Sequence, residues 1–131
     1  MSDPGPAQLR LPRLPQSVSA ARAFVRDALT GLDPDTLATA SLLTSEVVTN
    51  AVLHGQGHEI NITVQRSARG CVVAVADSNP VVPRQREHSV DGGVGRGLTL
   101  VRELSAAWGV RETPGEQFSK LVWFELEQVA G

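Results

Sequence analysis

Residues 43–55 read LTSEVVTNAVLHG, and this stretch decides the fold. Val47 and Ala51 are four positions apart, so they share one face of a helix and predict an apolar stripe. Glu46 and Asn50 are also four apart, which puts a carboxylate and a carboxamide one turn apart on a single face. The stretch therefore predicts an amphipathic helix with polar chemistry beside its core contacts.

The limits of this helix are predicted by local signals. Asp33 suits the N-cap, where its side chain accepts a backbone hydrogen bond, and Pro34 suits the first helical position, where no N–H is needed. We expect the helix to run to His54, with Gly55 as the residue that follows its end. The predicted core stripe comprises Leu37, Ala40, Leu43 or Thr44, Val47 and Ala51.

An earlier helix is predicted between residues 17 and 31. Ser17 is the expected N-cap and Gly31 the expected stop. The apolar residues between them recur at intervals of three and four, which is typical of one buried stripe. The stripe comprises Val18, Ala21, Val25, Ala28, Leu29 and Leu32.

Strands follow from residue 59, where the apolar period changes to two. Residues 60–64 alternate apolar with polar, and residues 71–76 form a nearly continuous apolar run that suits a buried strand. Arg69-Gly70 predicts the turn of a hairpin between them. Roughly twenty loop residues come next, a length typical of a lid or binding loop.

The C-terminal part predicts one helix and two strands. The helix starts near Leu98, with Gly109 near its stop, and the strands cover residues 108–111 and 121–127. With three amphipathic helices, the simplest arrangement is an α+β two-layer sandwich, in which the helices cover one face of a mixed, mostly antiparallel sheet.

Length and composition predict one domain. The chain has 131 residues, 41% hydrophobic, which suits a single core over residues 16–131. Residues 1–15 hold four prolines and are expected to form a flexible leader, with a possible edge strand where Leu9 and Leu11 alternate with Arg10.

Charge and cysteine content exclude several classes of function. The net charge of −2 disfavours direct binding of nucleic acid, which normally requires a basic surface. The single cysteine, Cys71, excludes an internal disulfide. The first residues lack a secretory signal and the apolar runs are shorter than a bilayer span, so we expect a soluble cytoplasmic protein that does not bind membranes.

Three groups of residues carry candidate chemistry, each with a simpler alternative. Asn50 would offer a neutral oxygen to Mg²⁺ and Glu46 would act as a base, unless both belong to a solvated helix face. Asp77 would accept a hydrogen bond from an exocyclic amine, or cap a turn. The glycines of residues 92–97 would admit a phosphate, or form a hinge. Their spacing fits neither a Rossmann fingerprint nor a P-loop.

In order and spacing these three groups resemble the N, G1 and G2 boxes of the GHKL ATPase superfamily. The stretch 43–55, the sequence GRGLTLV at 95–101, and Trp108-Gly109 before VWFEL at 122–126 carry the resemblance. It spans residues 16–127, and it is closest to the anti-sigma-factor serine kinases and their free-standing, histidine-kinase-like relatives in Gram-positive bacteria.

The resemblance implies a Bergerat-type fold that binds ATP and Mg²⁺. Asn50 would coordinate Mg²⁺ on the ATP phosphates, Glu46 would be the general base, and Asp77 would bind the adenine amino group. Residues 78–94 would form the ATP lid. The residues expected at the phosphates are Gly93, Gly95, Arg96, Gly97 and Leu98. Kinase members transfer phosphate to a serine of a STAS-domain antagonist and sequester a sigma factor, usually as homodimers.

The sequence departs from the common D-x-G-x-G box at Asp77-Ser78-Asn79-Pro80, a variant that the free-standing relatives share. This departure affects the expectation of kinase activity more than that of nucleotide binding. Three functions therefore stay open: a serine/threonine kinase, a nucleotide-gated interaction module, and an interaction domain without nucleotide. Lys120 is open between a phosphate contact and a solvated strand lysine.

Overall fold

The computed structural model describes residues 5–78, 98–113 and 115–128. Five strands and three helices lie in these ranges. In chain order they are β1 Ala7–Pro12, α1 Ser17–Ala28, α2 Pro34–His54, β2 Glu59–Ser67, β3 Gly70–Asp77, α3 Thr99–Leu104, β4 Ala107–Glu112 and β5 Lys120–Glu127.

The strands form one sheet in the order β1-β2-β3-β5-β4. Each neighbouring pair is antiparallel, so the sheet of the described residues lacks the mixed character that the sequence suggested. The α+β architecture with three helices is confirmed. The alternation predicted from Leu9 and Leu11 is seen in β1, which pairs with β2 at the edge of the sheet.

The core lies between the helices and the inward-facing residues of the sheet. Alternate positions of β2, β3 and β5 are buried because successive strand residues point to opposite faces. Phe124, at the centre of β5, is fully buried. The buried strand residues that meet the helices include Ile60, Ile62, Val64, Val73, Val75, Val122, Phe124 and Leu126.

α2 begins and ends where the sequence predicts. Asp33 Oδ1 accepts a hydrogen bond from the backbone N–H of Thr36 at 2.9 Å, and Pro34 is the first helical residue. By length and hydropathy alone α2 would suit a membrane span, with a mean hydropathy of 1.2, and half of that window is buried inside the protein. A core helix of a globular protein passes the same test, and packing against β3 and β5 accounts for the apolar character of α2.

The predicted limits of α1 are wrong, because its N-cap lies one position before Ser17 and its C-cap lies two positions before Gly31. Gln16 occupies the N-cap, and the Ser17 hydroxyl donates instead to the carbonyl of Pro12 at 2.6 Å, which ties the helix to β1. The helix ends at Ala28 with Leu29 as C-cap, because Leu29 turns into the core, where it is fully buried. Gly31 lies beyond the helix with a φ of 102°, a left-handed conformation that favours glycine.

Gly109 is not the stop of α3, which ends at Leu104. It lies inside β4, opposite Trp123 of β5. A Cβ atom at residue 109 would lie 2.9 Å from the indole nitrogen of Trp123. Glycine is therefore required by the tertiary contact with the indole ring rather than by a helix end.

The single cysteine gives a direct test of the packing. Burial raises the pKa of the Cys71 thiol from 9.0 to about 11, so the native protein should hold roughly 100-fold less thiolate near pH 8 than a free thiol does. We expect a chromogenic disulfide reagent to modify native Cys71 at least that much more slowly than the denatured chain. Equal rates before and after denaturation would contradict the described packing of β3.

Candidate functional site

The C-terminal half of α2 lines a cavity of about 300 Å³. Glu46 and Asn50 lie one turn apart on its wall, as their spacing predicts. The cavity is lined by Leu42, Ser45, Glu46, Thr49, Asn50, Leu53 and His54. One helix face therefore brings a carboxylate and a carboxamide to a single concave surface.

Asn50 is buried to 3% exposure, so it does not belong to a solvated face. Its carboxamide oxygen has no hydrogen-bond partner among the described residues. Leaving a buried acceptor unpaired costs roughly 1–3 kcal/mol, so such an atom requires an explanation. A neutral carboxamide oxygen is a ligand type that Mg²⁺ accepts, and Asn50, which lines the cavity, fits the predicted role at a Mg–ATP site.

Glu46 joins α2 to the start of α3. Its Oε1 accepts a hydrogen bond from the backbone N–H of Leu100 at 3.3 Å. Leu100 lies in the first turn of α3, directly after the glycine-rich segment of the sequence. The structure thus brings the beginning of α3 to the same face of α2 that carries Asn50.

Asp77 ends β3 with its carboxylate on the inner face of the sheet, at 2% exposure. Its Oδ1 accepts a hydrogen bond from the backbone N–H of Gln56 at 3.3 Å. This contact links the end of β3 to the segment that follows α2. A carboxylate held in this way is an acceptor of fixed position at one end of the sheet.

Gly55 is the reason that α2 and Asp77 can approach so closely. Its backbone is extended and not left-handed, which differs from the predicted glycine cap. A Cβ atom at residue 55 would lie 2.9 Å from Asp77 Cγ and would also clash with the carbonyl oxygen of Ala51. The absence of a side chain is therefore a steric requirement of the site.

Arg13 also holds the segment that follows α2, by two hydrogen bonds to backbone carbonyls. Its Nε donates to the carbonyl of Gly57 at 2.8 Å, and its Nη1 donates to the carbonyl of Val52 at 2.6 Å. The last carbonyls of a helix have no partner inside the helix, so the guanidinium satisfies one of them. Sequence reasoning did not assign Arg13 a role.

Lys120, which the sequence leaves open between a phosphate contact and a solvated strand lysine, is 3% exposed, so the solvated alternative is wrong. Its Nζ lies 3.7 Å from Asp77 Oδ2, and the two residues are direct partners in the β3–β5 pairing. A signal was present in the sequence, because Lys120 has the same parity as the inward-facing residues Val122, Phe124 and Leu126.

Several predicted site residues lie outside the described residues. These are Gly93, Gly95, Arg96 and Gly97, together with residues 79–94 of the predicted lid. Leu98 is described, and its side chain is fully buried in the core. Any phosphate contact of Leu98 would therefore use its backbone N–H.

No cluster of three or more His, Cys, Asp or Glu side chains that could hold a metal ion is found in the described ranges. His54 is exposed at the end of α2. Mg²⁺ usually takes only one or two carboxylates from the protein and further ligands from water and substrate phosphates, so a cluster of protein ligands is not required at Asn50.

Comparison with known proteins identifies one family. Residues 11–123, most of the chain, match the family described as histidine kinase-like ATPase domain. No curated protein matches the sequence.

Replacing Gly55 by alanine tests the close approach to Asp77. The added methyl group would press on the Asp77 carboxylate and on the Ala51 carbonyl, so we expect Gly55→Ala to cost roughly 1–3 kcal/mol in the free energy of unfolding. Urea denaturation measures this cost. Gly115→Ala is the control, because a Cβ atom there meets nothing within 4 Å and adds only the strain of its φ of 90°. Equal losses for the two variants would exclude a steric role for Gly55.

Proposed function

The chain belongs to the histidine kinase-like ATPase domain family and is an ATP-binding regulatory protein, and we propose that it transfers the γ-phosphate of ATP to a serine of a STAS-domain anti-anti-sigma factor. In this proposal it acts in the cytoplasm, sequesters a sigma factor and forms a homodimer. The net charge of −2 supports protein partners over nucleic acid.

The observation that carries the proposal is the unpaired carboxamide oxygen of Asn50. This oxygen is buried, while Asn50 as a residue lines the cavity one turn from Glu46, and the start of α3 is hydrogen-bonded to the same helix face. Asn50 would hold Mg²⁺, which when bound to ATP neutralises charge on the phosphates. Asp77, at the far end of α2 beyond Gly55, would accept the adenine amino group. These residues lie in one connected region of the fold.

Glu46 would accept the proton of the substrate serine. The serine oxygen then bonds to the γ-phosphorus, and the bond from that phosphorus to the bridging oxygen breaks, so that ADP leaves. In this structure the Glu46 carboxylate is held by Leu100 N–H through Oε1. A carboxylate has several acceptor positions, so this hydrogen bond orients Glu46 and leaves it able to take a proton.

The hydrogen bond of Glu46 also supports a second function, a nucleotide-gated interaction module without catalysis. A nucleotide that competes with Leu100 N–H for Glu46, or that strengthens their contact, would move or fix the start of α3. The sequence Asp77-Ser78-Asn79-Pro80, which lacks glycine, favours this reading. In that case Mg-ATP binds but no phosphate is transferred.

Nucleotide binding is tested by thermal denaturation with Mg-ATP. At a hundredfold excess over Kd, ATP should stabilise the wild type by roughly 2.7 kcal/mol. We expect Asn50→Ala to lose most of the Mg-dependent part of this stabilisation. Asn61→Ala is the matched control, because the Asn61 carboxamide accepts an exposed hydrogen bond from Gln8 and Asn61 is not among the residues that line the cavity. No shift of the wild type with saturating Mg-ATP would exclude the ATP site.

Catalysis is tested with labelled ATP and a STAS-domain protein. Glu46→Gln keeps an oxygen to accept from Leu100 N–H but removes the base, so we expect intact ATP binding and transfer slowed roughly 100-fold or more. Glu59→Gln, an exposed substitution on β2, should leave transfer unchanged. Binding by the wild type without any transfer would favour the non-catalytic module, and equal transfer by Glu46→Gln would remove the base from Glu46.

A further inference from the structure

Asp77 and Lys120 close one end of the core with a buried ion pair. On the same face of the sheet, the neighbouring pair is Val75 and Val122. From that pair to the next one on this face, the side chains change from apolar to charged, and both charged side chains are only 3% exposed. The pair therefore forms a polar site inside the protein.

A buried ion pair is a poor way to gain stability. Removing two charges from water costs several kcal/mol per ion, and a well-packed apolar pair of similar volume is often at least as stable. The position next to Val75 and Val122 would suit such an apolar pair. The charges at Asp77 and Lys120 are therefore better explained by what the carboxylate does than by folding.

A backbone N–H group and a side-chain ammonium group both hold the Asp77 carboxylate. Gln56 N–H donates to Oδ1 at 3.3 Å, and the Lys120 ammonium lies 3.7 Å from Oδ2. The backbone of Gly55 packs against the same carboxylate. Together these contacts orient the carboxylate, and the Lys120 ammonium supplies a counter-charge to Asp77.

We propose that Lys120 is the positioning residue that makes Asp77 a selective acceptor for the adenine amino group. The inference rests on the proposed function, in which Asp77 receives that group. A hydrogen bond to an ionised, fixed carboxylate is stronger than one to a neutral acceptor, and an oxygen at position 6 of the base, as in guanine, would face repulsion. Lys120 thus sets the preference for the base while Asn50 acts at the phosphates.

The test compares two nucleotides that differ only at position 6 of the base. Calorimetry with Mg²⁺ gives the Kd of ATP and of purine riboside triphosphate, which lacks the amino group. We expect the wild type to bind ATP roughly tenfold or more tightly, since the lost hydrogen bond involves a charged group. Lys120→Met should bring this ratio close to one, and Asn50→Ala should weaken both nucleotides while leaving the ratio unchanged.

A purely structural role for Lys120 would give a different result, because Lys120→Met would then weaken both nucleotides equally and keep the ratio. Either an unchanged ratio or an unchanged affinity for ATP would overturn the inference. Failure of the wild type to bind either nucleotide would contradict the proposed function itself. A wild-type ratio of one would overturn the role of Asp77 and, with it, that of Lys120.

Lys120→Met leaves a buried carboxylate without the Lys120 counter-charge, so a second comparison removes that carboxylate as well. Asp77→Asn and the double variant Asp77→Asn/Lys120→Met both lack it, and the double variant also lacks the buried ammonium. If Lys120 acts through the charge of Asp77, the two should show the same reduced ratio of the two Kd values. A further loss of ratio in the double variant would mean that Lys120 acts on the base independently, against the inference.

Discussion

The packing of α2 against β3 and β5 is the constraint on which the site depends. Val47 and Ala51 bury one face of the helix in the core, and Glu46 and Asn50 precede them by one residue each. Because neighbouring helix positions differ by about 100° in direction, the face that carries the chemistry is fixed by the face that carries the core. The helix cannot rotate to offer Asn50 to water without withdrawing Val47 and Val48 from the sheet. Apolar burial elsewhere on the same helix thus holds Asn50 in the cavity wall with its carboxamide oxygen unpaired among the described residues.

The same helix also determines the other end of the site. Where α2 ends, Gly55 lets the chain pass against Asp77, and Gln56 N–H reaches its carboxylate. Arg13, which follows the edge strand β1, holds the segment after α2 by donating hydrogen bonds to the carbonyls of Val52 and Gly57. The position of Asp77 relative to Asn50 therefore depends on one helix and its last turn. In the proposed function, this connection would set the distance between the residue that binds the adenine and the residue that acts at the phosphates.

Caps and turns that depend on residues close in the sequence could be predicted. Those that depend on contacts between distant parts of the chain could not. Asp33 caps α2 as expected, because the N-cap hydrogen bond reaches only three residues ahead. Ser17 fails the same rule, since its hydroxyl finds the carbonyl of Pro12 at the end of β1. The sequence predicts Gly109 near a helix end, because the contact that requires glycine there, with the indole of Trp123, comes from another strand. The alternation of β5 predicts that Lys120 points inward, but only the β3–β5 pairing shows that Asp77 is opposite it.

A catalytic protein and a nucleotide-gated module would use the contacts of Glu46 differently. The carboxylate of this residue is both the predicted base and the tertiary partner of Leu100 N–H in the first turn of α3. A group that orders a helix start gains from staying ionised, whereas a base must become protonated during the reaction. The Glu46 carboxylate accepts one hydrogen bond from Leu100 N–H and keeps further acceptor positions for a substrate hydroxyl. In the proposed kinase it would hold the start of α3 and also receive the serine proton, whereas in a gated module it would only hold the start of α3. In both cases one hydrogen bond links α2 to the start of α3.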